Sequence, residues 1–437
     1  MNGSRRAARV TAELAARLRR WWAALQDLSP TARATTWLLM AMIVGGVCLR
    51  IQGIGFPPRF TFDEQFFVPN ARHYLLGVPD ENDHPPLGKL FIAVGILALG
   101  DNPVGWRVAS LVLGLQTLVI AYLLAARLFL DRRAGLLAAA FVAADGFFLA
   151  YARTALLDGG LACLVLWSLL TAVTARTWRG VLISAVLVGL ATTVKWSGAL
   201  ALVPVTVVLL WRRRVPRRAL ALLGVAPMVH LGVWLATFPL SGRPFSASGL
   251  ASHMVALFRH HLDMGKKTNP LASPWYSWPA LYHPIVVKLA DAGTKRTYAS
   301  SAGNPVLFGA ATLGILATFG LAVGRRVGPR RSADGDAGTL NLAPFVMLAV
   351  AWLALLLPWT VARGAYVFMY HYLPSYGFAL VLLAGAVSRA ERRAPLVALV
   401  FVALAFAAAA YMAPVWAELA MTEAAANHRL VFLPWRP

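Results

Sequence analysis

Long apolar runs follow one another along most of this chain, and short polar segments rich in arginine separate them. An α-helix needs about 20 apolar residues to cross a bilayer. The pattern therefore predicts an all-α polytopic membrane protein with about eleven transmembrane helices. The predicted spans lie at about 34–53, 104–125, 134–150, 156–174, 180–194, 197–211, 219–238, 304–324, 342–359, 366–387 and 395–414. The fifth and sixth runs are short enough to form broken helices instead.

The arginine-rich segments orient the predicted spans. Positive residues concentrate in cytoplasmic loops, so residues 1–33, with seven arginines, are predicted to be a cytoplasmic basic segment. Segment 54–102 is then the first external loop, 239–302 a large external loop and 417–437 an external tail. Residues 34–416 are predicted to form one transmembrane domain.

Composition argues against nucleic-acid binding and against a fold stabilised by disulfides. The chain is 59% hydrophobic and 14% charged, with a formal net charge of +23. In a soluble protein that charge would suggest nucleic-acid binding, but here the basic residues lie between apolar spans, so membrane topology explains them and no nucleic-acid partner is expected. The two cysteines, Cys48 and Cys163, each lie inside an apolar run, which does not fit a disulfide framework.

The stretch 62–89 departs from the pattern because it holds five of the chain's 18 acidic residues. Asp63 and Glu64 are adjacent and flanked by phenylalanines. Neighbouring carboxylates can act as a general base or bind a metal, whereas an arbitrary pair of acids in a loop is most often only solvated. The flanking aromatic rings favour partial desolvation, which makes a carboxylate a better base. Two prolines after His84 favour a rigid turn and the start of a helix.

Together these residues resemble the protein O-mannosyltransferase family, whose dolichyl-phosphate-mannose-dependent members have the GT-C glycosyltransferase fold. The family pattern is an Asp-Glu pair with a following Phe and, some twenty residues later, Asp-x-His-Pro-Pro-Leu-Gly/Ala-Lys. The matching residues here are Asp63, Glu64, Phe67, Asp83, His84, Pro85, Pro86, Leu87, Gly88 and Lys89. Further similar positions lie at Arg107, 153–158, 194–196, 303–305 and 370–374. The loop 239–302 is too short for the MIR domain of eukaryotic members, so the chain resembles the prokaryotic branch.

The resemblance implies a reaction and a first set of site residues. A polyprenyl-phosphate-mannose donor would pass mannose, with inversion, to a Ser or Thr hydroxyl of a secreted or membrane protein delivered by the secretion machinery. Asp63 matches the general base, and Glu64 would orient the acceptor or a cation. The leaving phosphate needs cations near the outer surface. The candidates are Arg107, Arg153, Lys195 and Arg363, although long basic side chains at span ends also snorkel to the interface without a catalytic role.

The remaining predicted substrate-binding residues are less specific. Asp158 would either pair with Arg153 or complete the acidic site. His371 and Tyr372 would either line the groove for the lipid phosphate or be interfacial belt residues, and the two interpretations are equally good. Asp83, His84, Lys89 and Trp196 complete the set.

A cofactor is not indicated by the sequence. A divalent cation is compatible with the paired acids, but His253, His260, His261 and His283 in the large loop show no recognisable metal-ligand spacing. The aromatic segment Ser273–Pro279 is either a lid over the substrate or an interfacial loop. Membrane lipids are the other expected partners.

Two alternatives remain open from the sequence alone. The same fold could transfer another sugar, or act on a glycolipid or cell-wall glycan. A transporter or flippase of lipid-linked sugars would be a different class, but it predicts polar residues at mid-membrane in several spans. The concentration of acids in one external loop favours surface chemistry.

Overall fold

The computed structural model describes residues 26–79, 84–212, 216–267, 269, 272–292, 295–327, 341–362 and 367–430, with isolated positions before residue 26. Within these residues the protein is mainly helical, as the apolar runs predicted. The predicted residues Asp83 and Arg363 lie outside the described part of the chain.

Each predicted span corresponds to a helix or to a pair of helices. Their bounds are α1 Pro30–Ile51, α4 Pro103–Phe129, α5 Arg132–Ala143, α6 Gly146–Arg153, α7 Leu157–Thr174, α8 Trp178–Val194, α9 Leu202–Arg212, α10 Val225–Thr237, α12 Pro305–Val327, α13 Ala343–Leu356, α14 Leu373–Arg393 and α15 Pro395–Trp416. Among the described residues, 8 helices are long and apolar enough to cross a membrane, or 9 if the bent pair α5–α6 counts as one span. The predicted fifth and sixth spans are the shorter apolar helices α8 and α9, with a 3-10 segment at Trp196–Ala201 between them.

The two long polar segments also contain regular structure. The first holds α2 (Glu64–Leu76) and α3 (Leu87–Leu99), and the second holds α11 (Ala247–Met264). A small antiparallel sheet, which an all-α fold did not include, forms from β1 (Val286–Ala292), β2 (Lys295–Ser300) and β3 (Met421–Thr422). Helix α16 (Glu423–Arg429) follows β3, so the described part of the predicted tail is folded against the large loop.

Local sequence explains where several helices start. Ser29 caps α1 ahead of Pro30, and the side chain of Asn102 accepts hydrogen bonds from two backbone amides of α4 ahead of Pro103; both are favoured pairings at helix starts.

Helices α3 and α4 pack with unusually close backbones. A Cβ on Gly95 would lie 2.2 Å from the carbonyl oxygen of Gly105, so only glycine fits there.

A buried carboxylate stands at the 63° bend between α5 and α6. Asp145 Oδ1 accepts hydrogen bonds from the amides of Phe147 and Phe148 at 3.0 and 3.2 Å. Its Oδ2 accepts from the amide of Asn304 at 2.8 Å and the hydroxyl of Tyr376 at 2.9 Å. One side chain therefore caps α6 and ties the bend to the starts of α12 and α14, which explains an acid inside an apolar span.

Ion pairs mark one end of the bundle. Arg133 binds Glu391 at 2.6 Å and the hydroxyl of Thr36 at 2.8 Å, while Arg392 binds Asp131 at 2.7 Å. The start of α1, the α4–α5 turn and the end of α14 thus meet at what we call the basic end. Since α14 has 21 residues, its two ends are about 30 Å apart. The first residues of α14, and the polar segments that carry the acids, therefore lie at the opposite end.

Candidate active site

A cavity of about 630 Å³ lies at the end of the bundle opposite the basic end. We call it the aspartate cavity. Five of the residues singled out from the sequence line it, and they come from separate parts of the chain: Asp63, His84, Lys195, Trp196 and His371. The rest of its wall includes Phe66, Phe67, His260, His261, Lys266, Trp359 and Tyr370. Tertiary folding therefore brings an acid, a cation and aromatic rings to one partly enclosed space.

Asp63 enters this cavity from a tight turn at the start of α2. Phe62 has a positive φ of 52°, unusual for a residue with a side chain. The backbone oxygen of Asp63 accepts hydrogen bonds from the amides of Phe66 and Phe67, at 3.0 and 3.1 Å. Their rings share the cavity wall with the half-buried carboxylate. Asp63 is thus partly shielded from water, and two of the flanking phenylalanines line the same cavity.

Glu64, although adjacent, points away from the cavity and is completely buried. Its carboxylate accepts two hydrogen bonds from Arg107, from Nε at 2.7 Å and Nη2 at 2.8 Å. It also accepts from the amides of Thr61 and Ala155, both at 2.8 Å. Four donors occupy its two oxygens. The geometry places Glu64 and Arg107 inside the wall, where they fix the turn that presents Asp63, and neither residue lines the cavity.

Lys195 is the described cation that lines the cavity from the end of α8. Its Nζ donates to both oxygens of Asp158, at 2.8 and 2.9 Å. The ammonium also lies 4.5 Å from the centre of the Tyr370 ring. Asp158 is buried at the start of α7, so it contacts the cavity through Lys195. The predicted alternative, a pair between Asp158 and Arg153, is not what the structure shows.

Arg153 anchors the backbone at the end of α1, just before the first polar segment 54–102. It donates hydrogen bonds to the backbone oxygens of Leu49 and Gln52, and its Nη2 lies 3.6 Å from the carboxylate of Glu418. Both side chains are buried. Glu418 was not singled out from the sequence. It lies more than 250 residues from Arg153 and beyond the last span, and no local pattern indicates that the two residues are partners.

His84 contacts the cavity from the turn before α3. Removal from water lowers the pKa of its imidazole well below the usual range, and the positive charge of Lys195 and nearby basic groups including His261 acts in the same direction. The ring is therefore neutral at physiological pH. Its backbone oxygen accepts from Lys89 Nζ at 2.6 Å, which turns Lys89 into the protein and away from the cavity.

Helix α11 supplies a wall that sequence reasoning treated only as a weak metal candidate. The His261 ring lies 5.2 Å from the Trp196 ring and 5.5 Å from the His84 ring. Within the described residues, no group of three or more His, Cys, Asp or Glu side chains is arranged to hold a metal ion. His260 and His261 line the cavity with their rings.

Of the remaining predicted residues, one lines the cavity and one is buried behind its wall. Tyr372 is buried, and its hydroxyl accepts from the indole of Trp352 at 2.8 Å, so it packs α14 against α13. His371 stacks on Trp359 with ring centres 3.9 Å apart and lines the cavity. In the aromatic segment, Trp278 is buried near His371 and Tyr276 is exposed.

Two sequence families match successive parts of the chain. Residues 83–236 match the dolichyl-phosphate-mannose-protein mannosyltransferase family, and residues 248–436 match the C-terminal four-transmembrane region of protein O-mannosyltransferases. The chain belongs to the protein O-mannosyltransferase family. The matched segments include His84, Lys195 and His371, while the turn with Asp63 lies just before the first of them.

Several curated relatives of the chain are mycobacterial mannosyltransferases. The chain is 30% identical over 213 residues to the polyprenol-phosphate-mannose–protein mannosyltransferase of Mycolicibacterium smegmatis, a match covering 39% of this chain and 40% of that protein. It is 35% identical over 105 residues to the enzyme of the same name from Mycobacterium tuberculosis, covering 22% and 20%. The chain thus spans two fifths or less of the length of these relatives. An undecaprenyl phosphate-α-4-amino-4-deoxy-L-arabinose arabinosyl transferase of Pseudomonas aeruginosa is 32% identical over 207 residues, covering 42% and 36%.

Solved structures show the same fold at low identity. The Saccharomyces cerevisiae protein O-mannosyltransferase Pmt1-Pmt2 complex bound to the sugar donor matches with a TM-score of 0.76 and 13% identity, over 92% of this chain and 93% of that one. ArnT from Cupriavidus metallidurans bound to undecaprenyl phosphate matches with a TM-score of 0.57 and 19% identity, over 84% and 62%. The fold is therefore that of the GT-C membrane glycosyltransferases.

Proposed function

We propose that this protein transfers mannose from a polyprenyl-phosphate-mannose donor to Ser or Thr hydroxyls of exported proteins. The observation that carries the proposal is the aspartate cavity, in which the carboxylate of Asp63 and the ammonium of Lys195 line one partly enclosed space. An inverting displacement needs a base on one side of the sugar and a cation near the leaving group. Family membership supplies the donor and acceptor classes.

In the proposed reaction, the Asp63 carboxylate takes the proton of the acceptor hydroxyl as its oxygen attacks C1 of mannose. The bond between C1 and the phosphate oxygen breaks, and its electron pair leaves with the polyprenyl phosphate. Lys195 stabilises the negative charge that develops on that oxygen, and Asp158 holds the ammonium in position. The neutral His84 ring can donate a hydrogen bond without adding a charge to the site.

Glu64 and Arg107 act as positioning residues in this proposal. Their buried pair anchors both the start of α2 and the preceding segment, because Arg107 also donates to the backbone oxygens of Ile54 and Arg59 at 3.0 and 3.1 Å. A base that must lie within hydrogen-bond reach of a hydroxyl gains from such a fixed backbone.

We place the aspartate cavity outside the cytoplasm and the N-terminus inside. The described arginines of the α4–α5 turn and the end of α14 meet at the opposite end, and positive residues favour the cytoplasmic side. Acceptors reach this face through the secretion machinery, and the lipid donor reaches it from the surrounding bilayer.

The decisive measurement is transfer by membranes containing the protein, supplied with labelled polyprenyl-phosphate mannose and a Ser/Thr-rich peptide. Asp63→Asn removes the base and is expected to lower transfer by at least about 100-fold. Asp101→Asn is the matched control, since this partly exposed carboxylate binds Arg72 at 2.8 Å and does not line the cavity. Near-normal transfer by Asp63→Asn at equal expression would refute the assignment of the base.

A second candidate function keeps the site and changes the substrate to another sugar or to a glycolipid or cell-wall acceptor. The match to an arabinosyl transferase acting with an undecaprenyl carrier favours keeping this candidate. A deletion strain separates the two. Altered glycolipids with unchanged glycoproteins would support the second candidate, and loss of mannose from exported proteins would support the first.

A further inference from the structure

A second cavity, distant from the site described above, lies at the basic end. It has a volume of about 290 Å³ and is formed where α12, α13 and α14 meet. We call it the arginine groove. Its lining is mostly apolar and small, with two arginines one helical turn apart: Gly314, Ala317, Thr318, Leu321, Leu342, Phe345, Leu382, Ala386, Arg389, Ala390 and Arg393.

The groove opens to the lipid-facing side of the helices. Ala317 and Leu321 on α12 are exposed, whereas Leu382 and Phe345 form a buried floor. In a membrane-spanning helix, an exposed apolar position contacts acyl chains. A cleft of this shape therefore admits part of one lipid chain between the helices.

Arg389 gives the groove a charged end. Its Nε is buried and has no hydrogen-bond partner among the described residues. Two described acids of the basic end are engaged by other arginines, since Asp131 binds Arg392 and Glu391 binds Arg133. A buried donor without an acceptor is costly, and a phosphate oxygen is an acceptor that guanidinium binds well.

We propose that the arginine groove is a binding site for an anionic phospholipid of the surrounding leaflet. Its phosphate would bind Arg389 and Arg393 at the mouth, and one acyl chain would lie along Ala317, Leu321 and Leu382. The proposed cytoplasmic position of the basic end supports this assignment, because the cytoplasmic leaflet carries anionic headgroups. Basic pockets between transmembrane helices also bind such lipids. The proposal is independent of the transferase activity, because Arg389 and Arg393 lie about 24 to 30 Å along α14 from its start, the end that borders the aspartate cavity.

Binding of defined lipids to the purified full-length protein tests this directly. Native mass spectrometry in detergent would compare added phosphatidylglycerol, phosphatidylcholine and inorganic phosphate. Phosphatidylglycerol is expected to bind at least about fivefold more tightly than phosphatidylcholine, which is the preference expected of one membrane-surface arginine. Inorganic phosphate alone is expected to bind weakly, because it gains nothing from the apolar groove.

Three variants separate the site from general attraction of lipids to a basic protein. Arg389→Gln should abolish the preference for phosphatidylglycerol, and Ala317→Trp should do the same by filling the groove without changing charge. Arg176→Gln, which removes an exposed arginine of another short inside loop, should leave the preference intact. Equal loss in all three variants would overturn the proposal, as would an unchanged preference in Arg389→Gln. Tight binding of inorganic phosphate would reduce the site to one for a free anion and would also overturn it.

Discussion

At the scale of single residues, Asp63 and Glu64 show how neighbours of the same chemistry acquire different tasks. One carboxylate lines a cavity, and the other accepts four hydrogen bonds inside the wall. They diverge because successive side chains at the start of a helix are about 100° apart, so only one can face the substrate. The family resemblance already assigned the base to Asp63, and the structure adds that Glu64 is held inside the wall by Arg107.

The pair of Lys195 and Asp158 leads to a prediction at the same scale. Lys195→Met keeps the length of the side chain and removes the charge that would stabilise the leaving phosphate, so the transfer rate should fall by about 100-fold. Asp158→Asn should cost less, roughly tenfold, because the ammonium stays but is held less firmly.

A double-mutant cycle measured by the same transfer assay checks that these two residues act together. The double variant should be about as slow as Lys195→Met alone, since Asp158 has no catalytic partner left to hold. If the two losses multiply instead, Asp158 acts independently of Lys195 and the proposed role is wrong.

At the scale of elements, each predicted span corresponds to a helix or a pair of helices, because a run of apolar residues is what a bilayer requires. Only 8 of the described helices, or 9 with the bent pair, are long and apolar enough to cross a membrane, so the number of eleven spans stays a prediction. What the runs did not show is the 63° bend in the third span. It depends on Asp145 meeting Asn304 and Tyr376, which are far away in sequence. The described tail and the large loop likewise form one small sheet, through pairings that short strands of unremarkable composition do not reveal.

The segment after α15 carries a prediction for Glu418. This residue has a positive φ of 58° and a buried carboxylate beside Arg153. Burial raises the pKa of Glu418, although the charges of Arg153 and Arg107 oppose the rise. Because the folded pKa exceeds the unfolded one, folding binds the proton more tightly, and this contribution to stability is lost as pH rises from about 4.5 through the folded pKa.

Glu418→Gln should therefore become more stable relative to the native protein as pH rises above about 4.5. Transfer should fall roughly tenfold at the same time, because Gln holds Arg153, and so the segment that leads to Asp63, less firmly. Thermal unfolding in detergent from pH 4 to 8, with the transfer assay at neutral pH, measures both. A stability difference between the variant and the native protein that stays constant or moves in favour of the native protein from pH 4 to 8 would contradict the predicted sign.

At the scale of the whole molecule, the two ends of the bundle have different chemistry. The ion-paired arginines Arg133 and Arg392 lie at one end, and the aspartate cavity lies at the other. This separation follows from the positive-inside rule applied to many spans at once, so it was accessible from the sequence.

Orientation in the membrane can be predicted from this polarity. In a protein with Cys48 and Cys163 replaced, a single cysteine at exposed Tyr276 should react with a membrane-impermeant thiol reagent in intact cells. A cysteine at exposed Arg176 should react only after the cells are opened. The reverse pattern would place the cavity in the cytoplasm and exclude exported proteins as acceptors.

The sequence by itself determined the membrane class, the mainly helical fold and the motif around Asp63 and His84, because each depends on local composition or on residues close in the chain. Only the tertiary structure decided which of those residues share a cavity. It placed Arg107 on Glu64, Arg153 near Glu418 and Lys195 on Asp158, and it brought α11 to the wall of the site. Partners in a buried ion pair are chosen by the packing of separate helices, and the order of residues in a chain does not record that packing.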